Sequence, residues 1–175
     1  MRQFIGIVAL ALAFPLASIA QQPEYHHWAQ GYFVIGFGKG TPFSYSPSIG
    51  QVGGGGEGFL YKGLGLGGEV GYLTGVGRAP DAAWSASGDL SYHFGRNRRR
   101  GKLDPFLLGG ISYVGAVGIA AWGSGGSAAS NFGGGANLWI SERAALRIEF
   151  RDIARATDFW IYHHYLSWRI GVTFR

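Results

Sequence analysis

Histidines are the residues of this chain that invite a metal or catalytic interpretation, and there are five of them. Four form the adjacent pairs His26-His27 and His163-His164. Adjacent side chains on a strand point to opposite faces, and no cysteine or carboxylate supplies ligand spacing, so we predict no metal site and no cofactor. The fifth, His93, shares a strand face with Ser87 and Ser91. A catalytic base also needs an orienting acid and an oxyanion site, so we interpret His93 as a structural residue and predict no enzyme.

The densest charge in the chain is a turn with five basic residues in seven positions, namely Arg96, Arg98, Arg99, Arg100 and Lys102. The formal net charge of the whole chain is only +5, which is small for a nucleic-acid-binding protein. We therefore predict no nucleic-acid partner. We expect the basic turn to meet anionic phospholipid headgroups, with a periplasmic partner as the alternative.

The N-terminus has the three parts of an export signal. Met1 and Arg2 form a positive start, residues 4–16 are apolar, and Ser18 and Ala20 are small residues at the two cleavage positions. We predict a signal peptide at residues 1–20, a short segment at 21–29 and one domain at 30–175. The absence of cysteine excludes disulfides, thiolate metal sites and thiol nucleophiles.

The composition indicates a membrane protein with strands rather than helices. Charged residues make up 14% of the chain, against about 25% in typical soluble domains. The 32 glycines disfavour long helices. Around Leu146 to Arg151, apolar and charged residues alternate with a period of two, which places one kind on each face of a strand.

This pattern predicts an all-β fold, an eight-stranded antiparallel up-and-down transmembrane β-barrel. Each segment is close to the ~9–11 residues of a tilted membrane-spanning strand. The predicted strands are 30–38, 52–61, 64–73, 83–94, 105–117, 130–140, 144–153 and 165–174. Connections 40–51, 74–82, 118–129 and 154–164 are long and the others are short or intermediate, so we expect both termini at the short-turn, periplasmic end.

In a membrane barrel the apolar face must point to lipid and the polar face to the lumen. We predict a lumen charge network in which Glu57, Glu69, Asp89 and Glu149 pair with Arg147, Arg151 and Arg169. This network would plug the lumen. Strand parity also predicts an inward-facing Trp139, and leaves open which face of 106–117 points inward.

Aromatic residues fall near the predicted strand ends, as interfacial girdles require. The expected turn-end girdle comprises Trp28, Tyr61, Phe94, Phe106 and Phe174. The expected loop-end girdle comprises Phe37, Tyr72, Trp84, Phe159, Trp160, Tyr162 and Tyr165.

With these motifs the chain resembles the small outer-membrane barrels, such as the transmembrane domain of outer-membrane protein A and porin-like barrel domains. The resemblance covers about residues 30–175 and is carried by LSYHF before the basic turn, PFLLGGISYVG, and GGGANLWISERAALRIEFRD. The last strand supplies Trp168, Ile170, Val172 and Phe174, which resemble a C-terminal assembly signal. Arg175 after the final aromatic departs from that pattern. The resemblance implies insertion by the barrel assembly machinery, with periplasmic chaperones as further partners during biogenesis.

We therefore expect a monomeric protein of the cell outer membrane, in contact with outer-membrane lipids, that has a structural or surface-interaction role. The alternatives are a small porin-like channel, a lipid-modifying outer-membrane enzyme and a soluble secreted β-sandwich binding protein. Against the enzyme, no histidine is followed two positions later by serine, as in lipid A deacylase barrels.

Overall fold

The computed structural model describes residues 28–40, 48–76, 82–95, 102–117, 126–158 and 161–175. Eight strands make up almost all of this. They are β1 (Ala29–Gly40), β2 (Ser48–Tyr61), β3 (Leu64–Val76), β4 (Ala82–His93), β5 (Leu103–Val117), β6 (Gly126–Trp139), β7 (Ala144–Asp158) and β8 (Ile161–Phe174). Within these described ranges, no helix is long and apolar enough to cross a membrane.

The strands form one closed barrel in which each strand pairs antiparallel with its neighbours in sequence. The barrel closes between β1 and β8, where Phe33 lies opposite Val172 and Ile35 opposite Ile170. Closure gives every strand a partner on both sides, which removes the free edges that an open sheet would expose. The predicted eight-stranded up-and-down barrel is therefore confirmed.

Alternation along β7 shows how the sequence sorts residues between the two faces. Arg147 and Glu149 are 1% and 0% exposed, whereas Ile148 between them is 50% exposed. The outward face of the barrel carries the apolar residues predicted to face lipid. Of these, Phe33, Ile35, Leu66, Val70, Leu90, Leu138, Ile148, Trp168, Ile170 and Val172 are exposed, and Leu64 and Phe150 are half-buried.

The strands extend further toward the loop end than the sequence predicts. The largest difference is at 154–164, predicted as a long connection, because β7 continues to Asp158 and β8 begins at Ile161. Backbone pairing maintains these extensions even though the residues no longer alternate between apolar and polar. Arg155 lies opposite His163, and the register shifts only between Ala156 and Asp158.

The tight turn between β2 and β3 is built from Lys62 and Gly63, which have positive φ angles of 43° and 91°. Both positive angles fit the twist of a two-residue hairpin. A Cβ atom on Gly63 would collide with the carbonyl oxygen of His93. The turn between β6 and β7 is held by Ser141, whose Oγ accepts a hydrogen bond from the backbone N–H of Ala144 at 3.0 Å.

Two of the aromatic residues predicted for the girdles point inward instead. Phe106 is fully buried and Tyr165 packs against the apolar residues inside the loop end. Phe106 belongs to β5, where Leu108 and Val114 also face inward and Leu107 and Ile111 face outward. Both strand faces are apolar here, so composition does not distinguish them. The predicted girdle members Trp28, Tyr61, Phe94, Phe174, Phe37, Tyr72 and Trp84 are exposed, whereas Phe159, Trp160 and the side chain of Tyr162 lie outside the described residues.

Candidate functional site in the barrel lumen

The middle of the lumen holds a group of buried charges that we call the central ionic cluster. It contains three arginines and three carboxylates, so its formal charges balance. Its members are Glu69, Asp89, Arg147, Glu149, Arg151 and Arg169.

Arg169 crosses the lumen to bind a carboxylate on a distant strand. Its Nη1 and Nη2 donate to the two oxygens of Glu69 at 2.5 and 2.8 Å, a bidentate pairing that links β8 to β3. Nη2 also donates to Glu149 Oε1 at 2.6 Å, because Glu149 lies directly opposite Arg169 in the β7–β8 register. Bidentate hydrogen bonds between an arginine and a carboxylate are strong and fix the relative orientation of the two groups.

Glu149 is the centre of this cluster because strand β7 places an arginine two positions away on each side. Arg147 Nε donates to its Oε2 at 2.8 Å, and Arg151 Nε donates to its Oε1 at 2.9 Å. Residues at a spacing of two share a strand face, so all three point into the lumen. Arg151 also lies 3.2 Å from Asp89 and 3.6 Å from Glu69.

The guanidinium of Arg147 contacts two aromatic rings that also point into the lumen. Its central carbon is 4.2 Å from the centre of the Tyr32 ring and 4.1 Å from that of Phe106. Ring faces attract a cation, and the attraction strengthens where water is excluded. This contact explains why Phe106 is buried at a position where we expected an interfacial aromatic.

A second polar group, the turn-end cluster, surrounds His93, which is 0% exposed. The Nδ1 atom lies 2.8 Å from Asp104 Oδ2, and Nε2 lies 2.8 Å from Glu57 Oε1. Gln30 Nε2 and Ser91 Oγ also donate to Glu57. The histidine ring is stacked on Phe106 and meets Phe59 edge-on.

The structure therefore separates Glu57 from the arginine network in which we placed it. In the described residues Glu57 is bonded to His93, Ser91 and Gln30, and the three arginines pair with Glu69, Asp89 and Glu149. Strand parity identifies Glu57 as inward-facing but does not give its height along the barrel axis. Glu57 lies nearer the turn end than the three arginines do. The other six members of the predicted network are brought together.

Three residues in these clusters were missed by the sequence interpretation. Asp104, Gln30 and Tyr32 all point inward, and each has inward neighbours two positions along its strand. Asp104 was missed because we began β5 at residue 105, whereas the strand begins at Leu103. Extending the strand by two residues would have placed Asp104 on the face of Phe106.

Toward the loop end the lumen contains a group of buried apolar side chains that we call the apolar cluster. It consists of Ile49, Leu73, Ala83, Val114, Ala129 and Ile153, one from each of the strands β2 to β7, with Tyr165 of β8 packed against it. Between this group and the central ionic cluster, the hydroxyls of Ser87 and Ser112 lie 2.7 Å apart, and Asn131 donates to Ser112 at 2.7 Å.

One histidine–carboxylate pair lies on the opposite side of the sheet. His164 Nδ1 is 2.8 Å from Asp152 Oδ2. Because Arg151 and Ile153 point inward, alternation places Asp152 on the outward side of β7, where its carboxylate is nevertheless buried. This pair is closer to the loop end than Phe150 and Trp168, which lie opposite each other on β7 and β8. We did not predict it because His163 and His164 fell within an expected loop.

Only some of the remaining predicted site residues lie within the described ranges. Of the basic turn, Lys102 is exposed immediately before β5, whereas Arg96, Arg98, Arg99 and Arg100 lie outside the described residues. The same holds for the signal peptide at 1–20 and for His26 and His27. Trp168, Ile170, Val172 and Phe174 all point outward, and Trp139 points inward. In the described ranges, no group of three or more histidines and carboxylates could hold a metal ion.

The barrel is similar to several solved outer-membrane proteins. It matches Neisserial surface protein A with a TM-score of 0.65 and 14% identity, covering 86% of this chain and 99% of that one. It matches the outer membrane enzyme PagL with a TM-score of 0.57 and 15% identity, covering 80% and 97%. The attachment invasion locus protein Ail of Yersinia pestis follows with a TM-score of 0.54 and 10% identity, covering 85% and 98%.

No protein-family model and no curated protein sequence matches the chain. The solved structures define its class at the level of fold, which is the eight-stranded barrel of small outer-membrane proteins. More particularly, it is the fold of the outer-membrane protein A type, shared by the N-terminal barrel of OprF from Pseudomonas aeruginosa, which has a TM-score of 0.51 and 18% identity.

Proposed function

We propose that this protein is a monomeric integral barrel of the cell outer membrane with a structural or surface-interaction role and a lumen closed by its own side chains. The observation that carries the proposal is the stacking of two different barriers in the lumen. The central ionic cluster fills the middle, and the apolar cluster lies between it and the loop end.

The central ionic cluster opposes ion passage because each of its charges already has an oppositely charged partner. Three arginines face three carboxylates, and Glu149 alone contacts all three arginines. An ion that entered would have to displace one of these contacts and leave the other partner unpaired in a poorly solvated interior, which is costly. The apolar cluster adds an independent barrier, since apolar side chains offer an entering ion nothing to replace its hydration shell.

The location is supported by the outward face and by the comparisons. Exposed apolar side chains surround the barrel, an arrangement that suits hydrocarbon and would be an aggregation hazard in water. The similar solved structures are outer-membrane proteins. We place the termini at the periplasmic end, and we assign Trp168, Ile170, Val172 and Phe174 to recognition by the barrel assembly machinery, with chaperones escorting the chain beforehand.

The proposal gives His93 a structural role rather than a catalytic one. Both of its ring nitrogens face carboxylates, Ser91 donates to Glu57, and Ser87 contacts Ser112. No serine hydroxyl in the described residues is thus presented to the ring as a nucleophile would be. A substrate would also have to enter the closed lumen to reach this fully buried side chain.

Planar-bilayer recording tests the closed lumen. The mature chain, refolded and shown by heat-modifiable gel migration to be a barrel, should give conductance near the baseline of protein-free bilayers. Glu149→Ala combined with Ile153→Ala removes part of each barrier and should raise conductance, whereas Ile148→Ala with Phe150→Ala, on the outward face of the same strand, should not. Sustained channels in the unmodified barrel would overturn the proposal and favour the small porin-like alternative.

A further inference from the structure

A fully buried histidine, His93, lies between two carboxylates at the turn end of the lumen. Its Nδ1 and Nε2 atoms are each 2.8 Å from a carboxylate oxygen, of Asp104 and Glu57 respectively. An ionised carboxylate only accepts hydrogen bonds, and a neutral imidazole carries hydrogen on only one nitrogen. In a neutral ring, one nitrogen would therefore direct its lone pair at a carboxylate. Hydrogen on both ring nitrogens, which makes the ring an imidazolium cation, removes this conflict.

The other contacts of the two carboxylates favour their ionised forms. Glu57 accepts a hydrogen bond from Gln30 Nε2 on one oxygen and from Ser91 Oγ on the other, the second at 2.7 Å. Asp104 accepts a hydrogen bond on Oδ1 from the backbone N–H of Gly95 at 3.1 Å. Donors of this kind stabilise a charged carboxylate. The proton shared among these groups is therefore assigned to the histidine ring rather than to either carboxylate.

Other cations act on the two carboxylates, but each has a further contact or is exposed. Arg147 of β7 acts electrostatically on Glu57, and its Nε donates to Glu149 in the central ionic cluster. Arg175, after β8, acts on Asp104, and its Nε donates to the carbonyl oxygen of Glu142. Lys102, two residues before Asp104, is exposed.

The remaining strands bring no charge to this cluster among the residues that the structure describes. Gln30 of β1 and Gly65 of β3 lie next to Glu57 and Ser91. Asn137 of β6 is opposite Asp104 and accepts a hydrogen bond from Thr173 of β8. The His93 ring is thus the cation placed directly between the two carboxylates, and two buried negative charges without it would be costly.

His93 also connects the strands and turns at this end of the barrel. Its ring joins Glu57 of β2 to Asp104 of β5. Its backbone N–H donates to the carbonyl oxygen of Gly63 in the β2–β3 turn at 2.8 Å. Asp104 in turn binds the backbone of Gly95, at the start of the connection between β4 and β5. A change in the charge of the ring would therefore affect three strands and two connections.

We propose that the turn-end cluster is a buried proton-binding site, in which His93 is an imidazolium shared by Glu57 and Asp104. At neutral pH the doubly protonated ring bonds β2 to β5 through β4. Removal of one proton at alkaline pH leaves a bare ring nitrogen facing a carboxylate and weakens the turn end of the barrel. This site is separate from the two barriers in the lumen, so the inference holds whether or not the barrel conducts ions.

Nitrogen NMR of the ring tests the protonation state directly. Replacement of the other four histidines by glutamine leaves His93 as the only ring labelled with nitrogen-15, and heat-modifiable migration verifies that this chain forms the barrel. We expect both ring nitrogens to carry hydrogen at pH 7 and at pH 8, where an exposed histidine, half protonated near about pH 6.5, is mostly neutral. A ring with one bare nitrogen at pH 7 would overturn the inference.

The pH dependence of stability tests the consequence for the fold. Above about pH 6.5 the unfolded chain has lost its histidine proton while the folded barrel keeps that of His93. The stabilisation is therefore complete below that pH and is lost as the pH rises. One extra proton in the folded state lowers the folding equilibrium constant about tenfold per pH unit. We expect urea titrations of the barrel in lipid vesicles to approach this fall between pH 7 and pH 8.

Matched variants assign the effect to His93. H93Q should abolish the pH dependence, whereas H163Q, which removes a partly exposed histidine opposite Arg155, should retain it. E57Q/D104N should give a neutral His93 ring at pH 8 in the NMR experiment, because no carboxylate then faces it. A flat profile in the unmodified barrel, or an equally steep one in H93Q, would contradict the proposal. If H93Q does not form a heat-modifiable barrel, the spectrum of the single-histidine chain decides the question.

Discussion

Two groups of side chains lie in the lumen at different heights, and they depend differently on sequence. In the central ionic cluster, each of three arginines needs a carboxylate at a defined position, and Glu149 serves all of them. In the apolar cluster, Ile153 and its neighbours need only fill space. Loss of a charge leaves its partners buried and unpaired, whereas loss of a methyl group leaves a small cavity. The ionic region should therefore tolerate substitution least.

The strongest test of this difference is Glu149→Ala. Removal of the shared carboxylate leaves Arg147, Arg151 and Arg169 short of a partner, so we expect the free energy of unfolding to fall by about 3–5 kcal/mol. The measurement is a urea titration of the barrel in lipid vesicles. Glu142→Ala, in the exposed β6–β7 turn, is the control and should change the free energy by less than about 0.5 kcal/mol. A loss below about 1 kcal/mol for Glu149→Ala would show that the cluster is well solvated.

The apolar cluster is tested by Ile153→Ala, with an expected loss of about 3 kcal/mol in the same titration. Its control is Ile148→Ala on the outward face of the same strand, where lipid chains can occupy the vacated space, so the loss should be about 1 kcal/mol. Equal losses at the two positions would mean that Ile153 is no better packed than a lipid-facing residue.

A smaller loss of stability should come from adding a methyl group where two strands pack closely. A Cβ atom at Gly135 would collide with the carbonyl oxygen of Ile148, whereas one at Gly88 would have no heavy atom within 4 Å. Gly135→Ala should therefore cost about 2 kcal/mol in the free energy of unfolding through overpacking. Gly88→Ala should be neutral or slightly stabilising. A neutral Gly135→Ala would indicate that β6 and β7 can separate slightly at no cost.

Much of the architecture follows from local pattern. The alternation from Leu146 to Arg151 is sufficient to assign the faces of β7, and the same parity places Glu69, Asp89 and Arg169 inside. The Lys62-Gly63 turn was also predicted, because two residues separate two strand patterns. These features depend on neighbours in sequence, which a single chain displays directly.

The parts that failed depend on neighbours across the barrel. Parity could not show that Glu57 lies beside His93, because the height of each side chain depends on the stagger between strands. Phe106 is inward because it lies against Arg147, a contact between β5 and β7. The ends of β7 and β8 were missed because pairing between them, rather than alternation, sustains the strands beyond Ile153.

The bond between Arg169 and Glu69 joins residues 100 positions apart in the chain. Such a contact forms only after most of the chain has been made and placed, and long-range contacts of this kind slow folding. Until β8 docks on β1, Glu69 and Glu149 share only the Arg151 guanidinium and lack that of Arg169. Arrival of the last strand thus neutralises the interior at the step that completes the wall. The last strand therefore completes two things at once, the ring of backbone pairing in the wall and the balance of charge inside it.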